Sequence, residues 1–260
     1  MDSPEVNYSS IGIIHVHSDY SSDGRDSLET LRAFALARNI SWIGLTDHAE
    51  DFTRERFAEY VEKCLRLSDH RVRLIPGLEY RFAGFTGLHL LALGLTRWMN
   101  PATPEDFIRE TRLAAQLTIA AHPCLFDYQL PVAVADGIDA IEVWNASYNT
   151  RFLPDPRAIR LLHACRAKRT EIVGTAGLDQ HDSRNDRETR VLVAADEMDP
   201  LGALKAGRFV NVGRTMRLDP AVSLARLQLV ALTLARWSLY LVERVQHYVV
   251  SAFRKRRFPR

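Results

Sequence analysis

The chain is 260 residues long, 47% hydrophobic and 25% charged, which excludes an intrinsically disordered protein and a small domain that depends on staples. Its 34 Lys and Arg nearly balance 32 Asp and Glu, so the molecule as a whole makes no electrostatic case for nucleic acid. Three cysteines (Cys64, Cys124 and Cys165) without a CxxC pair set aside a disulfide framework and a thiolate zinc site, and the opening MDSPEVNYSS lacks a basic-then-apolar leader pattern, so a cytoplasmic protein is expected.

Residues 11–16 read as the first strand, and a helix follows at about 27–38 with Ser27 as its N-cap. A second strand at 42–46 leads to a helix near 54–68, then to strands at 72–76 and 88–95. Next come a helix over 104–115, strands at 118–121 and 140–144, a helix over 156–168 and a strand at 171–176. Residues 200–212 read as a short helix, a Gly stop and a closing strand. Strands alternating with helices predict an α/β fold with a largely parallel sheet, and seven strands in about two hundred residues suit a barrel better than an open sheet.

Six of the nine histidines fall at predicted strand ends. His15 and His17 end the first strand two residues apart, on one face. His48 follows the second, His89 lies on the fourth, His122 ends the fifth and His181 follows the seventh. Asp23, Glu79 and Asp179 occupy matching places. In a parallel barrel the C-terminal strand ends share one mouth, where active sites are built. Any one of these residues is more often a plain structural histidine or loop carboxylate, but nine at one predicted end reverse those odds. Imidazole and carboxylate suit Zn, Mn or Fe, and nine ligands are too many for one ion, so two or three divalent ions bridged by a shared carboxylate are expected.

The series Ile14-His15-Val16-His17-Ser18 with Ser22-Asp23-Gly24, Thr46-Asp47-His48, Pro76-Gly77-Leu78-Glu79, Ala121-His122-Pro123 and Gly177-Leu178-Asp179-Gln180-His181 resembles the motif series of the PHP family, named for bacterial DNA polymerases and histidinol phosphatase. The resemblance spans roughly residues 11–212 and implies a distorted (β/α)7 TIM-like barrel with a metal cluster at its C-terminal mouth. It implies one ion on His15, His17, Glu79 and Asp179, a second on Glu79, His89 and His122, and a third on Asp23, His48 and His181. Ile13 stands where relatives often carry Asp, and Leu178 where they usually carry a small residue; neither change removes a ligand.

Such ions favour hydrolysis by activated water. Asp47, beside His48, and Asp182, beside His181, are the candidate catalytic carboxylates, Asp47 more naturally as a support for its neighbour than as a base. Arg25, Arg151 and Arg184 are the candidate phosphate-binding groups, with Arg81 a further cation at the mouth. Only 43 residues separate Glu79 from His122, too few for a strand, a helix and an inserted lid, which favours a small phosphorylated substrate over nucleic acid. The expected activity is therefore that of a multinuclear metal-dependent phosphoesterase. Carboxyl-ester or amide hydrolysis, trimming of oligonucleotide ends, and a non-catalytic scaffold are the alternatives.

The barrel is expected to occupy 1–217 and a basic amphipathic helix and tail 218–260. From Ala221 onward there are eight Lys and Arg and one Glu, while the remaining 220 residues hold 26 Lys and Arg against 31 Asp and Glu. On a helical wheel Val230, Leu234, Trp237, Leu241, Val245 and Tyr248 gather opposite Arg226, Gln228, Arg236, Glu243, Arg244, Gln246 and His247. Packing on the barrel or self-association is expected first, and peripheral contact with the inner face of a membrane through Trp237, Tyr240, Tyr248 and Arg254-Lys255-Arg256-Arg257 second.

Overall fold

In a computed structural model the described residues are 8–148, 152–195 and 197–240. They form β1 (Tyr8–Val16), α1 (Leu28–Ala37), β2 (Trp42–Leu45), β3 (Asp47–His48), α2 (Arg54–Leu67), β4 (Arg73–Ile75), β5 (Gly77–Arg81), β6 (His89–Leu93), α3 (Pro104–Ala114), β7 (Leu117–Ala120), α4 (Val132–Gly137), β8 (Ala140–Asn145), α5 (Pro156–Arg166), β9 (Val173–Gly177), β10 (Arg190–Ala194), α6 (Pro200–Lys205), β11 (Phe209–Val212) and β12 (Arg217–Leu218). All of these helices but α4 start where short polar side chains satisfy otherwise unpaired N–H groups. Ser27, Thr53 and Thr103 accept from the amides of Thr30, Arg56 and Asp106, and proline occupies the first turns of α3, α5 and α6.

Two six-stranded sheets result, in the orders β12-β11-β10-β1-β2-β4 and β3-β5-β6-β7-β8-β9. One residue, Thr46, separates β2 from β3, and one, Pro76, separates β4 from β5, so each pair continues a single strand from one sheet into the other. Gly77 sits at that crossing. A Cβ there would lie 2.5 Å from the carbonyl oxygens of both Leu45 and Ala92, a space only glycine leaves open. The circuit closes where β1 meets the chain after β9: Leu178 donates to the Ile14 carbonyl, Gln180 to that of His15, and His17 to that of Gln180. The ring thus has seven members, the distorted (β/α)7 barrel expected.

Two features depart from the expected parallel pattern. β6 runs antiparallel to both β5 and β7, because only a short loop separates β5 from β6 and no helix crosses over. β10, absent from the sequence reading, joins the first half of β1 antiparallel and carries β11 and β12 outward. The strands read as almost unbroken apolar runs because both faces are covered. Ile14, Leu91, Leu93, Leu117, Ile119, Val173, Leu201, Leu204 and Phe209 belong to one buried cluster.

The chain divides into a unit ending at Val222 and a second beginning at Ser223, so the expected boundary at 217 falls within β12. Within the second unit residues 226–240 are helical, with Leu227, Val230, Leu234, Trp237 and Tyr240 exposed. The remaining tail residues, Tyr248 and the Arg254–Arg257 cluster among them, lie outside the described residues. No helix among the described residues is long and apolar enough to cross a membrane.

Candidate metal centre

The mouth of the barrel is assembled from strand ends whose side chains are polar and whose burial is nearly complete. His15, His17, His48, Glu79 and His122 are at most 3% exposed, and Asp179 is 8%. The pairing of β1 with the segment after β9 sets His15 and His17 beside Asp179 and His181. β3, β5 and β7 deliver His48, Glu79 and His122 to the same place. His89 reaches it from the opposite end of its strand: β6 runs antiparallel, so its first residue, opposite Arg81, is the one at the mouth.

Three of these residues occupy the left-handed region of backbone space, His15 at φ 63°, His122 at φ 27° and Asp179 at φ 50°. Such conformations cost roughly 1–3 kcal/mol each for non-glycine residues and concentrate at functional sites. At His15 the register of β1 against β2 also slips, so the side chain is re-aimed out of the regular strand.

Three groups of side chains converge closely enough to share an ion: His17 with Asp23, His48 and His181; His15 with Glu79 and His122; and His15 with His17 and Asp179. Nε2 of His15 and of His17 stand 3.5 and 3.4 Å from one Asp179 oxygen. Nε2 of His122 is 3.2 Å and Nε2 of His15 3.6 Å from one Glu79 oxygen. Asp23 lies 3.1 Å from His48 Nε2 and 3.3 Å from His181 Nε2. Two donors bound to one ion at about 2.1 Å in tetrahedral geometry are about 3.4 Å apart, whereas an imidazole–carboxylate hydrogen bond is shorter. The buried Nε2 atoms of His15 and His17 also have no hydrogen-bond partner among the described residues, which is the condition expected of ligand atoms. The residues fit divalent ions.

The grouping differs in detail from the one the resemblance implies. His15 belongs to two groups and His17 joins Asp23, His48 and His181. His89 falls outside all three, although its Nδ1 is 2.8 Å from Glu79 Oε1.

Protonation follows the same crowding. Burial opposes a charge on His15, yet Glu142 and Asp179 outweigh it and hold the imidazole well above its ordinary value. Burial favours neutral Glu79 and Asp179, but the imidazoles around them hold both far below the usual carboxylate range. Protons here balance the carboxylates, and cations would replace them.

The two candidate catalytic carboxylates, Asp47 and Asp182, are both engaged by neighbouring donors. Asp47 is fully buried and accepts from the backbone amides of Ser18 and Ser21, at 2.7 and 3.2 Å, and from both hydroxyls. It fastens the loop after β1 and is closed off from solvent. Asp182 caps the short 3-10 turn Ser183–Asn185 and accepts both Nε and Nη2 of Arg184 at 2.6–3.1 Å. That hydrogen bonding draws its carboxyl down to about 2, so it is a partner for Arg184 rather than a poised base.

A cavity of about 420 Å³ opens beside Asp23, Asp179 and His181, and its wall includes Arg25, Arg187, Ser147 and Asn185. Arg25 is therefore at the cavity, 3.6 Å from Asp182 and with its side chain 69% exposed. Arg184, folded onto Asp182, does not line it. Arg151 lies outside the described residues. Arg81 reaches His48, with Nη2 3.1 Å from Nε2, and Glu50 at 3.2 Å.

Two residues escaped sequence reasoning. Arg187 lines the cavity and donates to the Ala146 carbonyl; nothing in its local sequence separates it from Arg184. Glu142 is fully buried in β8 and touches His15, the His122 amide and Asn145. A carboxylate inside the apolar run Ala-Ile-Glu-Val-Trp was the available signal, since Glu is almost never fully buried without a partner.

The family model of the PHP domain matches residues 14–130, a span holding seven of the nine candidate ligands and ending before Asp179 and His181. Among solved structures, PsfC from Pseudomonas syringae aligns with a TM-score of 0.54 at 18% identity, covering 88% of this chain and 98% of that one. A candidate metal-dependent phosphoesterase from Bifidobacterium adolescentis aligns with a TM-score of 0.50 at 16% identity, covering 75% and 94%. At such identities the likeness is one of fold. No curated protein matches the chain.

Proposed function

We propose, from the match of the PHP-domain family model to residues 14–130, that the chain is a metal-dependent phosphoesterase acting on a small phosphoester. The observation that carries this reading is the convergence of three His/Asp/Glu groups around buried imidazole nitrogens that have no hydrogen-bond partner among the described residues. In this reading His15, His17, Asp23, His48, Glu79, His89, His122, Asp179 and His181 hold two or three ions of Zn, Mn or Fe. Bound ions would supply an acidified water and neutralise phosphoryl charge.

The chain's own groups do the rest. Arg25 and Arg187 stand on the cavity wall, where guanidinium forks suit phosphate oxygens. Asp47 holds the loop that leads to Asp23. The cavity volume of about 420 Å³ is within the range of small-molecule sites. The phosphoesterase description of the Bifidobacterium adolescentis structure agrees with this choice of chemistry.

The test is hydrolysis of p-nitrophenyl phosphate by protein reconstituted with Mn or Zn, beside the His17→Ala variant. Turnover in the parent that is lost in the variant together with bound metal is the expected result. Metal bound without turnover would overturn the phosphoesterase reading in favour of carboxyl esters, amides or oligonucleotide ends, each then assayed directly.

A further inference from the structure

We propose that Glu142 is the positioning residue that sets His15 and His122 for ion binding, an inference that rests on the metal reading above. Three N–H donors converge on its two oxygens. Nδ1 of His15 lies 2.7 Å from Oε1, while Oε2 accepts from the backbone amide of His122 at 2.8 Å and from Nδ2 of Asn145 at 2.9 Å. All three partners are buried. One carboxylate thus grips both histidines that flank Glu79, and both are held at positive φ.

The chemistry follows from what each oxygen can do. An ionised carboxylate is acceptor-only at both ends, so it obliges His15 to carry its proton on Nδ1. The lone pair that an ion would use, on displacing the second proton, is then on Nε2, the atom that faces Asp179 and Glu79. The bond to the His122 amide pins the strained turn from which that imidazole projects. Partners of this kind fix the tautomer and orientation of metal-binding histidines. The fold leaves room for the arrangement at one point: a Cβ on Gly177 would lie 1.9 Å from Glu142 Oε1 and 3.2 Å from His15 Cβ.

Glutamine cannot substitute. In either orientation its NH2 group meets a donor, the His122 and Asn145 N–H groups at one end or the His15 Nδ1–H at the other, where accepting it would move the imidazole proton to Nε2.

The experiment compares parent, Glu142→Gln and Gly177→Ala loaded with zinc. Bound ions are counted by elemental analysis, affinity is read by chelator competition, and folding is checked by circular dichroism. Both variants are expected to lose the ions shared by His15 and His122, with affinity lower by about 10–100-fold, while the group of His17, Asp23, His48 and His181 keeps its ion. The nitrogen-15 spectrum of the zinc-loaded parent should show His15 protonated on Nδ1 and ligating through Nε2. Ion counts and affinities equal to the parent's, or ligation of His15 through Nδ1, would overturn the role of Glu142 alone. A parent that binds no ion would overturn it together with the metal reading. Should neither variant fold, the parent's spectrum decides.

Discussion

Along β5, Leu78 and Glu79 are adjacent and almost equally shut away from water, at 0% and 1% exposure, yet they answer to opposite rules. Leu78, like Leu91, Leu117 and Ile119 in the interior, needs only apolar neighbours, and burying such a side chain stabilises the fold by roughly 1.5–3 kcal/mol. Glu79, His15, His17, His122 and Glu142 at the mouth each oppose folding unless a partner satisfies them. Three of the mouth residues add backbone strain. The interior holds the barrel together; the mouth is held together by it. A region that is buried, charged and strained makes physical sense as a binding centre, and the two regions should respond differently to substitution.

The largest expected effect is at the mouth. His17→Ala should cut bound metal and turnover by more than about 100-fold, since even the partners of metal ligands are worth 10–100-fold. The thermal midpoint of the metal-free protein should hold or rise, because a buried imidazole nitrogen with no hydrogen-bond partner among the described residues is removed. A midpoint that falls as far as that of a core variant would erase the distinction between the regions.

In the interior, Leu117→Ala removes a fully buried side chain that pairs with Leu93 across β6 and β7. It should cost about 2–5 kcal/mol while the folded fraction binds as many ions as the parent. Denaturant titration beside metal analysis gives both numbers.

Asp47 belongs to both regions. Asp47→Ala strands the Ser18 and Ser21 donors and should cost on the order of 3 kcal/mol, with ion affinity weakened most at Asp23 and His48. A variant of unchanged stability that loses turnover alone would restore Asp47 as a catalytic group. Arg187→Ala stands at the edge of the mouth and should raise KM for a phosphoester about tenfold, or 1.4 kcal/mol, with kcat nearly unchanged; Arg184→Ala should do neither.

The sequence made the mouth legible because metal-binding chemistry leaves a residue-type signal: His, Asp and Glu at the ends of apolar runs are conspicuous. The ring of seven strands was equally legible from alternation. Direction was not. The same apolar pattern, Leu88 to Leu95, describes a strand running either way, so His89 reads as the start of a strand yet lies at the mouth. β10 carries an apolar run like the other strands, but no α-helix separates it from β9, so the alternation of strands and helices does not announce it. Glu142 escaped for another reason: its partners come from His15, 127 positions away, and from a backbone amide that no residue type announces. Arg184 and Arg187 differ only in what lies near them in space. The backbone strain at His15, His122 and Asp179 has no signature in side-chain identity.

The smallest expected effect separates the charges around the mouth from those within it. Asp186 accepts from Arg190 at 2.7 Å and from Arg38 at 2.7 Å, tying α1 and the start of β10 to the loop that carries Asn185 and Arg187. Burial alone would raise its carboxyl, but Arg190, the Glu188 amide and Arg38 outweigh it and lower it. A carboxyl depressed in the folded state stabilises above its unfolded value of about 4 and loses that contribution as pH falls through its folded value. Asp186→Asn should therefore cost about 1 kcal/mol at pH 7, as expected for a partly screened pair, and the gap from the parent should close as pH drops below about 4. Metal content should stay at the parent's level throughout. A gap independent of pH would mean that Asp186 acts through packing rather than charge, and a loss of ions would mean that the loop it anchors reaches into the mouth.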